Sequence, residues 1–238
     1  MTKRINLWSG PRNISTAIMY SFAQRPDTKV EDEPFYAYYL KNSEARSYHP
    51  GAEDILNSMD TDADKVLSRI KNDHSAEVFF YKNMTHHLLT MDNAFFDGFH
   101  QVILTRDPVE MLPSFAAVIE NPTIDDVGYQ RHTELIEKFQ RDSTPFVVIE
   151  AESFLNNPEE KLRKLCEAID IPFYPEMLSW SAGARPEDGV WAPYWYINVH
   201  KSTGFMPFKK KTEPFPEHLK PLLGECMPHY LKLKAIAL

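Results

Sequence analysis

The sequence predicts an α/β fold, a central, mostly parallel sheet flanked by helices in three layers. Three observations predict it. Four short apolar runs recur at residues 5–9, 77–82, 101–105 and 146–150, and a fifth short strand is expected at 29–33. Helix-like stretches separate them, and strand–helix–strand alternation calls for right-handed crossovers and a parallel sheet. The runs INLWS, QVILT and FVVIE are continuous rather than alternating, as strands covered on both faces tend to be.

Each element follows in order. Ile5–Ser9 stops at Gly10-Pro11, and helical character follows from Ser15 to about Arg25, with Ser15 or Thr16 placed to cap it and Pro26 to end it. After Lys29–Glu33, a helix begins over Tyr36–Lys41. Residues 42–75 are polar and irregular apart from a helix expected at Asp62–Asn72. Glu77–Lys82 is a strand by its aromatic and β-branched content. Gln101–Thr105 runs into Arg106-Asp107-Pro108, with a helix from about Val109 to Ala117. Asn157-Pro158, after the strand Phe146–Glu150, opens an amphipathic helix over Glu159–Ile169. From Pro172 the pattern weakens into Pro- and Trp-rich loops before a last helix near Glu217–Leu233. The chain reads as one domain over 1–238, with a Pro- and aromatic-rich region from about 174.

Composition narrows the function classes. The net charge of −8 disfavours nucleic acid and anionic membrane surfaces as partners, since both want a basic face. An anionic ligand must then be held by locally placed Arg, Lys and backbone N–H groups. Two cysteines make no disulfide framework and have no metal-ligand neighbours, so no metal is expected. No apolar run approaches membrane-spanning length and no signal-peptide core opens the chain, so a cytoplasmic location is expected.

The chemistry is concentrated at Trp8-Ser9-Gly10-Pro11-Arg12-Asn13-Ile14-Ser15-Thr16. A buried strand entering a helix N-terminus makes an anion cradle, because free N–H groups and the macrodipole both face the ligand. Arg12 adds a cation, and Ser15 and Thr16 add hydroxyls. The Walker pattern is not met, since no Lys-Ser/Thr pair follows a glycine, which disfavours a magnesium-dependent ATPase or GTPase. A second strand–turn–helix places Arg106 at a strand end and Ser114 eight residues on. A helix that carries Ser114 back past the strand end brings both to one phosphate.

These two segments resemble the nucleotide-binding elements of the sulfotransferase superfamily. Pro11-Arg12-Asn13-Ile14-Ser15-Thr16 is similar to its 5′-phosphosulfate loop, P-[KR]-S-G-T-[ST]. Arg106, Asp107, Pro108 and Ser114 match its 3′-phosphate element, R-[DN]-P-x(5)-S, in full. A third stretch, from Val148-Ile149-Glu150 through Asn157-Pro158 to Ile171-Pro172-Phe173, resembles the region that follows. The resemblance implies a P-loop NTPase-like fold and transfer of a sulfuryl group from 3′-phosphoadenosine 5′-phosphosulfate (PAPS) to a small-molecule hydroxyl or amine. It implies that Arg12, Asn13, Ile14, Ser15 and Thr16 hold the 5′-phosphosulfate and that Arg106 and Ser114 hold the 3′-phosphate. Lys201 and Gly204, in His200-Lys201-Ser202-Thr203-Gly204-Phe205, would match the late basic loop that closes over the same phosphate. The family's loop glycine is Ile14 here, a bulky β-branched residue where close phosphate approach is wanted.

Sulfuryl transfer needs a base for the acceptor. Glu33 ends the second strand just before Pro34, and some sulfotransferase branches place a glutamate there as base. Alternation along the strand sends Glu31 and Glu33 to one face and Asp32 to the other. Other branches place a lysine and then a histidine at the next strand's end, the lysine on the bridging oxygen and the histidine as base. Lys82 and His86 are the candidates here, with His87 beside them. Trp180, Trp191, Tyr194, Trp195 and Tyr196 either line an acceptor pocket or cover the sheet edge, and this aromatic third offers a homodimer surface. Two other functions fit the same fold: a P-loop kinase or hydrolase, and a nucleotide-binding protein without turnover.

Overall fold

The computed structural model describes residues 2–89, 91 and 98–238. Five strands, β1 (Lys3–Ser9), β2 (Thr28–Asp32), β3 (Val78–Met84), β4 (His100–Thr105) and β5 (Phe146–Glu150), form one sheet in the order β2-β3-β1-β4-β5. Every neighbouring pair is parallel. The register aligns the C-terminal ends: Ser9 lies opposite both Met84 and Leu104, Asp32 opposite Lys82, and Thr105 opposite Glu150. The chain moves to one side of β1 for β2 and β3 and to the other for β4 and β5. In open parallel sheets a crevice forms at that switch point, beyond the strands' carboxyl ends.

The helices are α1 (Ser15–Phe22), α2 (Tyr36–Lys41), α3 (Ala52–Ser58), α4 (Ala63–Asn72), α5 (Pro108–Ala116), α6 (Ile124–Val127), α7 (Tyr129–Arg141), α8 (Ala151–Asn156), α9 (Pro158–Ala168), α10 (Ala192–Trp195) and α11 (Lys220–Lys234). Side chains alternate along each central strand to make the two core layers. Ile5, Leu7, Phe80, Val102, Leu104 and Ile149 pack with Ile18, Phe22, Phe154, Leu162 and Leu165 of α1, α8 and α9. Trp8, Phe79, Tyr81, Ile103 and Val148 pack with Val66, Ile70, Leu135, Phe139 and Leu233 of α4, α7 and α11. The three-layer α/β architecture is the one expected.

Several boundaries differ from the sequence reading. α1 ends at Phe22, short of Arg25, and β3 continues two residues past Lys82 to Met84. α7 occupies a stretch for which the sequence suggested no element. Its sequence is largely polar, and Leu135, Ile136 and Phe139 anchor it in one core layer while Tyr129 packs into another buried cluster. α8 is set off by Glu150, whose carboxylate accepts from the N–H groups of Glu152 and Ser153 and so caps the helix. α11 runs through Pro228, a residue that ordinarily ends a helix.

Candidate functional site

At the switch point, residues 10–14 turn from β1 into α1. Gly10 is needed because the chain passes close to α6: a Cβ there would lie 2.6 Å from the Val127 carbonyl oxygen. The left-handed residue of the turn is Arg12, at φ 51°. Ile14, where the family has glycine, has φ −88° and ψ 15°, a conformation any L-residue adopts, and it leans on the core. The turn thus places its strain two residues before the position the sequence suggested. The helix N-cap is Ile14 rather than Ser15 or Thr16, and no side chain caps it, so the first-turn N–H groups are left to a ligand. Asn13 staples the loop to β4, its Nδ2 donating to the Leu104 carbonyl at 3.3 Å while its Oδ1 accepts from Ile14 N–H at 2.9 Å.

The second segment interlocks with the first. Asp107 caps α5, accepting from Val109 N–H at 2.8 Å, and Pro108 occupies the first turn without loss of a bond. Ser114, two turns on, accepts from Arg12 Nε at 3.0 Å, and Arg106 Nη1 donates to the Arg12 carbonyl at 2.8 Å. Tyr129 donates to the Arg106 carbonyl at 2.7 Å, which fixes the strand end from α7. Burial lowers the pKa of both guanidiniums, and Arg106 lowers that of Arg12 further. A third cation joins them. Lys211 lines the same cavity, and burial and then Arg106 lower its pKa; its backbone N–H donates to the Glu110 carboxylate at 3.4 Å. Three part-buried cations thus converge on one cavity, and Arg106 lowers the pKa of the other two.

Arg12, Asn13, Ile14, Ser15, Thr16, Glu33, Lys82, His86, Arg106, Ser114 and Gly204 all line one cavity of about 420 Å³ at the sheet's carboxyl edge. Lys201 does not. It is exposed in the turn Val199–Lys201, and Lys211 is the basic residue that this region brings to the cavity. Gly204 bridges Ser179 in an antiparallel pair, where a Cβ would come within 2.9 Å of the Leu178 carbonyl oxygen.

The acid–base cluster departs from strand alternation. Glu31 pairs with Arg69 of α4. Glu33 does not follow it. Its φ of 44° ends the strand and turns its side chain toward that of Asp32, so both carboxylates bind Lys82. Lys82 Nζ donates to Asp32 Oδ1 at 2.7 Å, Glu33 Oε1 at 2.6 Å and Tyr196 Oη at 2.6 Å. Tyr196 donates in turn to Asp32 Oδ2 at 2.6 Å and accepts from Trp191 Nε1 at 3.0 Å. Burial pushes the Glu33 carboxyl up to about 7, with Asp32 adding to the rise and Lys82 opposing it. Burial opposes the Lys82 ammonium too, but the two carboxylates raise its pKa overall.

The histidines make an uncharged wall. His87 stacks on Tyr36 and Tyr39 with ring centroids 4.6 Å apart, and His49 Nδ1 shares a 2.7 Å hydrogen bond with the Tyr36 hydroxyl. Burial drives His86 down to about 3, His49 to about 4 and His87 well below its ordinary value. Trp195 and Tyr196 line the cavity while Trp191 and Trp180 are packed in the core, so the aromatic segment is divided between cavity wall and core. Among the described residues no cluster of three or more His, Cys, Asp or Glu is arranged to hold a metal, and no helix is long and apolar enough to cross a membrane.

A parallel sheet with its switch point at β1, and an anion cradle there, define an α/β protein of P-loop-like architecture. The chain belongs to the sulfotransferase-domain family, whose pattern it matches over residues 3–237. Its fold is similar to the sulfotransferase domain from the curacin biosynthetic pathway, with TM-score 0.56 and 18% identity over 95% of this chain and 98% of that one. It is also similar to the sulfotransferase domain of the Synechococcus PCC 7002 olefin synthase, with TM-score 0.54 and 12% identity over 94% of each. In sequence it is 37% identical over 228 residues to the branched-chain-amino-acid aminotransferase-like protein 2 of Arabidopsis thaliana, covering 95% of this chain and 40% of that protein. The like-named protein 1 is 38% identical over 234 residues, with 97% and 41% covered. The chain therefore spans about two fifths of the curated relatives it matches.

Proposed function

We propose that this protein transfers a sulfuryl group from PAPS to the hydroxyl or amine of a small-molecule acceptor. One observation carries the reading: Arg12 and Arg106, interlocked with Ser114 at an uncapped helix N-terminus, share a cavity with a carboxyl held near neutrality. PAPS would supply the sulfuryl group and leave as adenosine 3′,5′-bisphosphate. Arg12 and the first-turn N–H groups of α1 stabilise the charge that collects on the departing 5′-phosphate. Arg106, Ser114 and Lys211 hold the 3′-phosphate. Glu33 takes the acceptor's proton as the acceptor atom bonds to sulfur, and it releases that proton to solvent afterwards.

Glu33 suits the base better than His86. A general base works best with a pKa near the operating pH, and Glu33 sits at about 7 while burial holds His86 at about 3. His86 is neutral and able to accept a hydrogen bond, but charging it in that environment is costly.

Calorimetric titration of adenosine 3′,5′-bisphosphate into wild type and Arg106→Ala tests the reading. Micromolar binding is expected in wild type, and a loss of at least about tenfold in the variant, as befits a charge-assisted phosphate contact of about 1.5–3 kcal/mol. Absence of bisphosphate binding, with magnesium-ATP bound in its place, would move the assignment to a P-loop kinase.

A further inference from the structure

The family resemblance would put Lys82 on the bridging oxygen between phosphate and sulfuryl group. The geometry points elsewhere: we infer that Lys82 is a positioning residue that fixes and tunes Glu33, with Asp32 as its counter-charge and Tyr196 as its clamp. This rests on the sulfuryl-transfer reading above and changes how the site carries it out.

An ammonium has three N–H donors and no more. Here all three are committed, at 2.6–2.7 Å, to Asp32 Oδ1, Glu33 Oε1 and Tyr196 Oη. Lys82 is only 2% exposed, and β3 runs on past it to Met84, so it is held inside the strand rather than at its tip. Turning Nζ to a leaving oxygen would break one of three charge-assisted or buried bonds and leave a carboxylate uncompensated, a change that costs several kcal/mol in buried ion pairs.

The partners are themselves fixed. Asp32 spends its second oxygen on the Tyr196 hydroxyl, and that hydroxyl also receives Trp191 Nε1–H. Tyr196 thereby fastens the aromatic C-terminal segment to the end of β2. Two carboxylates share one cation, so the cluster is neutral when Glu33 carries a proton and has a net negative charge when it does not. Of the two carboxylates, Glu33 is the one that lines the cavity, so it is the one placed to exchange a proton with a bound acceptor.

The two oxygens of Glu33 are unlike. Oε1 is held by Lys82, whereas Oε2 lies 4.0 Å from His87 Nε2, outside hydrogen-bond range. Oε2 is the oxygen left to receive the acceptor's proton. The groups facing Glu33 are Asp32 on its own strand, Lys82 on β3, His87 after β3, Tyr36 on α2 and Tyr196 after α10. Only Lys82 among them is cationic at neutral pH, since burial keeps His87 uncharged. On this assignment the cations that meet the leaving oxygen are Arg12 and the α1 N-terminus, without Lys82.

Two measurements on Lys82→Met decide the question. The first is a carbon-13 NMR titration of glutamate carboxyls in the free protein, with the Glu33 signal identified by its loss in Glu33→Gln. The second is the bisphosphate Kd, because adenosine 3′,5′-bisphosphate retains the 5′-phosphate from which the sulfuryl group departs. The Glu33 midpoint should rise by a pH unit or more, about tenfold in proton affinity, while the Kd stays within about threefold of wild type. A midpoint that does not move, or a Kd about tenfold weaker, overturns the inference. Should the single variant not fold, Asp32→Asn/Lys82→Met leaves no charge unpaired while Glu33 is protonated and gives the same two readings. Its Glu33 midpoint still rises, because Lys82 acts on Glu33 more strongly than Asp32 does. If wild type binds no bisphosphate, the sulfotransferase reading falls, and the titration alone still decides whether Lys82 sets Glu33.

Discussion

Glu33 and Arg12 share a backbone feature that no spacing in the sequence announces: both are non-glycine residues with positive φ, at 44° and 51°. Left-handed backbone costs such residues about 1–3 kcal/mol, and it survives where the surroundings over-determine it. At Glu33 the return is a carboxylate turned onto Lys82. Glu33→Gln should lower kcat by about 100-fold to 10,000-fold, the usual worth of a general base, with bisphosphate affinity unchanged. In wild type, activity should climb as pH rises through about 7, because the base must be ionised; an acid limb below pH 5 would point to another group. A raised carboxyl pKa also means that the fold prefers Glu33 protonated. Its contribution to stability is present below the ordinary value of 4.5 and is lost as pH rises through about 7. Glu33→Gln should therefore melt no lower than wild type at pH 8, even though it is nearly inactive. Much of this site was legible beforehand: Arg12, Arg106 and Ser114 belong to local motifs whose spacing puts them at strand ends. Lys211 and Tyr196 were not singled out for their roles here, because only the return of the C-terminal loops brings them to the cavity. Asp32 was assigned to the opposite face because strand alternation cannot foresee one left-handed residue.

Among the elements, the loop between β1 and α1 depends on its fit against α6. Gly10 is the point of contact, and a methyl group there would meet a backbone oxygen rather than a side chain that can rotate away. Gly10→Ala should cost about 1–3 kcal/mol, as overpacking does, which is about 2–4 °C in Tm per kcal/mol for a domain of this size. It should also weaken bisphosphate binding, because the carbonyl clash is relieved only by moving the loop or α6. An unchanged Kd would show that the loop keeps its shape by yielding elsewhere. The five strands were readable from the sequence because each is a short run with a distinct composition between turn residues. α7 was not. Its polar turns resemble a linker, and only tertiary packing, of Leu135, Ile136 and Phe139 with Trp8 and Ile103 and of Tyr129 with Met111 and Tyr230, makes it part of the core. Yet α7 supplies Tyr129 to the Arg106 carbonyl, so an element that the sequence concealed helps to fix the motif that it displayed.

Over the whole molecule, the unusual quantity is the number of imidazoles buried uncharged. Burial lowers His86 and His132 to about 3, His49 to about 4 and His87 well below 6.5. His132 has neither ring nitrogen hydrogen-bonded among the described residues. The sign of the pH effect follows. Below pH 6.5 the unfolded chain protonates these four side chains, while in the folded chain His49, His86 and His132 do not take up a proton until about pH 4 or lower and burial holds His87 neutral well below 6.5, so stability falls as pH falls across that window. Glu33 works the other way, since the folded protein takes up its proton near pH 7 and the unfolded chain only near 4.5. With up to four protons favouring the unfolded state and one favouring the folded, the net excess reaches three. At about 1.4 kcal/mol per proton per pH unit, stability should fall by up to about 4 kcal/mol per unit once the unfolded histidines are charged. Urea unfolding at pH 7.5, 6 and 5 checks this, and a midpoint that stays level to pH 5 would contradict it. His132→Leu separates the cause from general acid sensitivity, because His132 lies behind the loop between β1 and α1, beside Gly10, rather than in the main cavity. That variant should flatten the slope by about 1.4 kcal/mol per pH unit and leave an unpartnered polar ring out of the interior, so it should be at least as stable as wild type at pH 7.5.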